Sequence, residues 1–501
     1  MSDANRSAPL DMEGARFRAL GHDLVDRIAD FLDGIADGPV TPGDSPNDVR
    51  ALIRADAPLP REGRDAGQLL AESSGWLFRR SLHNGHPRFL GYITSSAAPI
   101  GMLGDLLAAA VNPNVGAWAL SPVATEIEAQ TVRWIAELLA YPAGAGGLMV
   151  SGGNMANMAC FWAARVAAGG QEIRASGRSA DGRPLVVLAS AETHTWLQKA
   201  TDLSGLGTDA IRWIPTDDQL RMDPVALAMV LREEIAGGSH PMMVVASGGS
   251  VSTGAVDPLR EISRICREHG VWLHVDGAYG GFAAMLPDAP EELHHLALAD
   301  SVAVDPHKWL YAPLEAGCAL VREPELLRAA FSYHPPYYHF GVEADNYVDF
   351  GPQNSRGFRA LKVWLALQEA GREGYERMLA DDCRVARMLH DELVAHPAFE
   401  AAGTGLSITT FRYVPEALQD RVGRPDVEGY LNDLNKEIQA RLERGGEVFV
   451  SNAVVGGRYL LRACIVNFRT DEADVRAIPH VVARVGGEAH AALRGAEATT
   501  A

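Results

Sequence analysis

A chain of 501 residues with 47% hydrophobic side chains can bury a large core and is too long for one simple domain. Its 45 Lys and Arg against 64 Asp and Glu leave a net charge of −19, which removes the electrostatic case for nucleic acid or an anionic membrane surface as partner and fits a soluble cytoplasmic protein. The five cysteines (Cys160, Cys266, Cys318, Cys383 and Cys464) are scattered, form no CxxC pair and sit mostly in apolar runs, so they read as small buried hydrophobes of a reduced compartment.

The opening MSDANRSAPLDMEG has no signal-peptide core, and the longest apolar runs fall short of a membrane span. Phe17, Leu20, Leu24, Ile28, Phe31 and Ile35 recur at helical spacing, with Asp and Arg opposite. A connector with Pro39, Pro42, Pro46, Pro58 and Pro60 follows. The runs PLVVLAS (Pro184–Ser190), PMMVVAS (Pro241–Ser247), VWLHVD (Val271–Asp276) and DSVAVD (Asp300–Asp305) are nearly all apolar, and helix-length segments such as Pro224–Ala236 and Pro258–His269 lie between them. Buried strands alternating with helices predict an α/β fold, a mainly parallel sheet covered on both faces. Beyond Phe358 the pattern shifts to two helical segments, the strand-like SITTFRYV and RYLLRACIV, and a helix around Val427–Leu442, which predicts a smaller α+β domain. The expected division is a helical segment over 1–85, a large domain over 86–370 and a small domain over 371–501.

Ligands of open parallel sheets bind at the carboxyl ends of the strands. There the sequence places His194 in the loop ASAETHTW, Ser247, Asp276, and Lys308 in VAVDPHKWLY. A lysine delivered by a buried strand is costly unless paired or chemically used. Upstream, GLMVSGGNMANMACFWAAR reads as strand, glycine turn and helix, a place where free N–H groups hold an anion, although SGGN alone is as well explained by an ordinary capped turn. No GxxxxGK[ST] or HExxH occurs, and GTGLSI at Gly403 lacks the third glycine of a dinucleotide loop. His334 and His339 in YHPPYYHF read as packing in an aromatic loop, and no metal site is expected. Pyridoxal 5'-phosphate uses the remaining set. A lysine amine holds its aldehyde, an aspartate keeps its ring nitrogen protonated, an anion site takes its phosphate, and an aromatic side chain stacks on its ring.

DPHKWL, HVDGAYGG and SPVATEIE resemble motifs of the group II pyridoxal phosphate-dependent amino acid decarboxylases, fold type I, most closely the aromatic L-amino acid decarboxylases, and the similarity runs from about Met12 to about Ala483. The resemblance implies a seven-stranded-type sheet and an N-terminal helix that packs on the partner of a homodimer whose active site lies at the subunit interface. It makes Lys308 the Schiff-base lysine and Asp276 the pyridinium partner, with Ala278 under the ring and His194 over it. It places Gly153, Asn154 and His307 at the phosphate and Ser247 beside the cofactor. Counting back from FRALK, Tyr347 falls on the tyrosine of a mobile catalytic loop, spanning EADNYVDFGPQNSRGFRALK, that helps protonate the carbanion. Tyr92, Ile93 and Ser95 in RFLGYITSSA become candidates for the substrate pocket, and Ser355 hints at a phenolic substrate. Tyr92 and Trp118 read equally well as core aromatics.

Three positions depart from the pattern. Asp305 stands where Asn is usual, Val251 where a ring-contacting Thr is usual with Ser250 and Ser252 as substitutes, and NVGAWALSP is one residue short, with a phenylalanine lost near Ala117. Decarboxylation of an aromatic amino acid to its amine is the leading expectation. An acidic substrate, transamination, aldehyde synthesis and a non-catalytic cofactor-binding dimer are the alternatives. Arg462 could hold a substrate carboxylate or form a structural ion pair.

Overall fold

The computed structural model describes residues 8–334 and 344–500. Its strands are β1 (Phe89–Leu90), β2 (Gly146–Val150), β3 (Leu185–Ser190), β4 (Ile211–Ile214), β5 (His240–Ser247), β6 (Trp272–Asp276), β7 (Ser301–Val304), β8 (Gly317–Val321), β9 (Phe399–Gly405), β10 (Ile408–Tyr413), β11 (Phe449–Val455) and β12 (Arg458–Cys464). Seven of them form one sheet in the order β2-β8-β7-β6-β5-β3-β4. All its pairings are parallel except those of β8, which runs against both β2 and β7.

The near-continuous apolar runs follow from burial on both faces. In β3, Val186 and Leu188 pack into one core with Val244, Val275 and Leu310. The alternate residues Val187 and Ala189 pack into another with Phe161, Trp196 and Leu197. The helix Pro224–Ala236 matches its expected bounds, and Leu259–His269 starts one residue later than expected.

The second sheet has the order β1-β11-β12-β10-β9. GTGLSI is the hairpin between β9 and β10, with Leu406 at φ +54°, and not a nucleotide loop. The long helix Ala360–Ala395 is broken at Gly371, where φ is +64°, a conformation glycine adopts without a Cβ clash. The residues after the break pack with the helices Pro425–Gly445 and Glu472–Thr500 on the second sheet. One expected boundary differs: Phe89 and Leu90 pair in parallel with Phe449 and Val450, so the chain enters the small sheet before it builds the large one.

The first helix spans Gly14–Asp33 and buries none of its residues, with Phe17 62% exposed. Leu77, Leu103, Leu106, Leu107 and Val111 are also more than half exposed. No helix among the described residues is long and apolar enough to cross a membrane.

Candidate active site

β7 ends at Val304, and the chain turns through Asp305–Lys308, closed by the Lys308 N–H donating to the Asp305 carbonyl at 2.9 Å. The next residues lock this turn. Trp309 Nε1 and Tyr311 Oη donate to Asp382 Oδ2 at 3.1 and 2.7 Å. Asp382 is fully buried, and desolvation pushes its pKa up to about 8 against those two hydrogen bonds. Ser95 Oγ donates to the His307 carbonyl at 2.8 Å and supports the turn from outside. Held this way, Lys308 points into a cavity of about 390 Å³.

Asp276, the last residue of β6, lines the same cavity. Its Oδ1 accepts from the Ala278 N–H at 3.1 Å and its Oδ2 from Trp196 Nε1 at 2.8 Å. Trp196 is fully buried, and its role was not read from the sequence. The available signal was a tryptophan two residues after His194 in a strand-end loop. The Trp196 backbone N–H donates to His194 Nδ1 at 3.3 Å, which places the neutral ring's proton on Nε2. His194 stands at the cavity mouth. Desolvation lowers its pKa, with Lys308 and Lys199 adding to the effect and Asp276 and Asp305 opposing it.

The anion end is built from glycine. β2 leads through Ser151 and Gly152, at φ +101°, into the helix Gly153–Gly169, which has no side-chain N-cap. A Cβ on Gly153 would stand 2.7 Å from Asp305 Oδ2, and one on Gly152 would stand 3.1 Å from His307 Cε1. Glycine is therefore what allows the ends of β2, β6 and β7 to meet around the helix N-terminus. His307 donates Nδ1–H to the Ala316 carbonyl at 2.7 Å, and desolvation lowers its pKa.

Gly153, Asn154, His194, Ser247, Asp276, Ala278, Asp305, His307 and Lys308 thus share one cavity. Glu192, Leu314 and Glu315, which sequence reading missed, also line it. Val251 and the expected substitute Ser250 both line it; Ser250 Oγ accepts from the Ala255 N–H at 3.2 Å, and Ser252 Oγ donates to Glu192 on the cavity wall.

Other expected residues lie outside this cavity. Tyr347 is 3% exposed in the short turn Tyr347–Asp349, its ring 4.7 Å beneath the Arg356 guanidinium. The expected loop tyrosine is thus packed away from this cavity. Arg356, in turn, forms a buried ion pair with Glu128, and the Val348 N–H donates to the Gly116 carbonyl at 2.9 Å. Glu343 of the expected loop lies outside the described residues, as does His339, while His334 pairs with Asp349 at 3.1 Å. Tyr92 turns away at φ +51°, 55% exposed beside Phe449; Ile93 packs on the main core, and Ser355 is exposed. Ser95 lines a second cavity of about 340 Å³. Trp118 Nε1 donates to Glu126 at 3.0 Å. Arg462 makes no ion pair among the described residues; it donates to Ser451 Oγ at 3.0 Å and to the Val251 carbonyl.

A family model described as the pyridoxal-dependent decarboxylase conserved domain matches residues 46–414. The chain belongs to this family. A tyrosine decarboxylase of Oryza sativa subsp. japonica is 33% identical over 488 residues, 94% of this chain and 91% of that protein. A phenylacetaldehyde synthase of a Rosa hybrid cultivar is 29% identical over 473 residues, 92% of each. The solved structure of Oryza sativa TDC with PLP and tryptamine superposes with a TM-score of 0.87 at 27% identity, covering 96% of this chain and 99% of that one. The protein is accordingly a fold type I, pyridoxal phosphate-dependent carboxy-lyase. Its cavity fits that cofactor, with a lysine, a strand-end carboxylate and a glycine-opened helix at three sides of one space.

Proposed function

We propose that this decarboxylase converts an aromatic L-amino acid to its amine and carbon dioxide, working as a cytoplasmic homodimer whose active site lies at the subunit interface. When bound, pyridoxal phosphate supplies the electron sink for the bond broken at Cα. Lys308 Nζ is the covalent anchor. Asp276, oriented by Trp196 and the Ala278 N–H, holds a proton on the ring nitrogen. Ala278 and His194 would flank the cofactor ring, with the proton of neutral His194 on Nε2. Gly153, Asn154 and His307 hold the phosphate, and Ser247 supports the Asp276 side of the site. Tyr347 protonates Cα only if its turn leaves the packing under Arg356.

The observation that favours an aromatic side chain over an acidic one is the charge of the wall. Glu192 and Glu315 line the cavity, and no arginine does among the described residues, so a second substrate carboxylate would meet like charge. The homodimer reading is supported by the unburied apolar faces of Gly14–Asp33 and Pro99–Val111. The cytoplasmic reading is supported by five buried, unpaired cysteines.

The test is turnover of cofactor-loaded protein on single amino acids, with carbon dioxide, amine, aldehyde and peroxide all measured. Equal amine and carbon dioxide from tyrosine, dopa or tryptophan is the expected result. Aldehyde with peroxide would instead assign the activity named for the Rosa relative, and turnover confined to glutamate or aspartate would overturn the reading of the wall.

A further inference from the structure

Asp305 is 2% exposed, and its two oxygens are treated differently. Oδ2 lies 3.0 Å from Lys308 Nζ and 3.7 Å from His307 Nε2. Oδ1 is buried and has no hydrogen-bond partner among the described residues. The carboxylate abuts Gly153, the first residue of the helix that receives the cofactor phosphate. Lys308 and His307 from its own turn, His194 from the loop after β3 and Cys318 from β8 face it, and the carboxylates of Asp276, Glu192 and Glu315 line the same cavity. Of these, Lys308 alone is a lysine or arginine paired with it, and its amine is taken up once it carries the cofactor. His307 and His194 are both held toward the neutral form by desolvation, and burial pushes the Cys318 thiol up. A carboxylate and a phosphate carrying about −1.5 to −2 would then share one water-poor site.

We propose that Asp305 makes loading of the cofactor phosphate proton-coupled: the phosphate enters with one proton, taken from solvent and held between Asp305 and a phosphate oxygen. This rests on the cofactor assignment of the same site. The unpartnered Oδ1 is the acceptor that the shared proton satisfies, and an acid at this position makes cofactor retention weaken as pH rises.

The experiment loads cofactor-free protein, wild type and Asp305→Asn, with pyridoxal phosphate between pH 6.5 and 8.5. Dissociation constants are measured, and proton uptake is read calorimetrically in two buffers of different ionisation heat. Pyridoxal, which lacks the phosphate, is the control. Asp305→Asn also removes the ion pair to Lys308, so the protons that Lys308 exchanges are read from pyridoxal in each protein and subtracted. Wild type is expected to take up about one proton more than Asp305→Asn, and its dissociation constant to rise about tenfold more per pH unit. At pH 8 the variant's gain in affinity for pyridoxal phosphate exceeds its gain for pyridoxal at least about tenfold. Equal proton counts, or an equal gain for pyridoxal, would overturn the proposal. If neither protein develops the visible absorbance of bound pyridoxal phosphate at any pH, the cofactor assignment itself falls. The wild-type proton count stands without the variant, so a misfolded Asp305→Asn protein would not shield the idea.

Discussion

The perturbation with the best-defined cost is removal of Arg356. Its guanidinium is 2% exposed and donates to both oxygens of Glu128, at 2.5 and 3.2 Å, and to the Val115 and Met149 carbonyls at 2.8 and 2.7 Å. Glu128 is fully buried, and among the described residues its one other hydrogen bond comes from the Met149 N–H at 2.9 Å. Arg356→Met therefore leaves a desolvated carboxylate with a single donor and strands two carbonyls. Breaking a buried pair on one side costs about 3–5 kcal/mol, and we expect about 4 kcal/mol here. Adding Glu128→Gln to that variant removes the unpaired charge and keeps an acceptor for the Met149 N–H, so about 2 kcal/mol should return. The assay is a urea titration of cofactor-free protein followed by both circular dichroism and tryptophan fluorescence. A loss below about 1 kcal/mol for Arg356→Met, or no recovery with Glu128→Gln, would refute the electrostatic account. Met149 lies two residues before the glycine turn, so the single variant should also hold pyridoxal phosphate more weakly.

Trp196→Phe removes the donor to Asp276 Oδ2; a hydrogen bond to a charged group is worth about 1.5–3 kcal/mol, so kcat should fall about tenfold to a hundredfold with KM little changed, and the pH profile of the cofactor absorbance should move with it. Tyr347→Phe should keep amine formation within about threefold of wild type if the packing under Arg356 persists in turnover, a change under about 1 kcal/mol; a loss beyond a hundredfold would mean that the turn swings out to deliver the phenol. His274, fully buried between Asn157 and Ser301, has its pKa lowered by desolvation to about 4, so the folded form binds fewer protons than the unfolded one between there and the ordinary histidine value. Its contribution is present above pH ~6.5 and is lost as pH falls toward ~4, about 3 kcal/mol in all, and His274→Gln should flatten that limb of a stability-against-pH curve.

The parallel strands were legible because burial on both faces forces an unbroken apolar run, and that is a local signal. Lys308, Asp276 and the glycine turn were legible for a related reason: polar or glycine residues at the ends of such runs stand out. Trp196 was not, because nothing local says that an indole in a loop reaches a carboxylate 80 residues later. β1 was missed because two residues are too few to show a period, and their partners in β11 lie near the end of the chain. Tyr347 shows what a motif count leaves open. It was counted back from FRALK along the chain, but its place in space depends on Arg356 meeting Glu128 across 228 residues of sequence. SPVATEIE, a motif that carried the family resemblance, ends in Glu128 and so contributes structure and no chemistry at the cavity.

The second cavity suggests why an N-terminal helix that buries none of its own residues belongs to this enzyme. Phe31 and Phe78, stacked with ring centroids 4.6 Å apart, form one of its walls, and Ser95 and Leu314 belong to another. Leu314 also lines the cofactor cavity, and Ser95 bonds the His307 carbonyl beside Lys308. The two spaces thus share a wall at the turn that presents the lysine. In the proposed dimer, covering the exposed face of Gly14–Asp33 would stiffen this wall, so assembly and presentation of Lys308 would be coupled through packing, without a residue of the helix touching the cofactor.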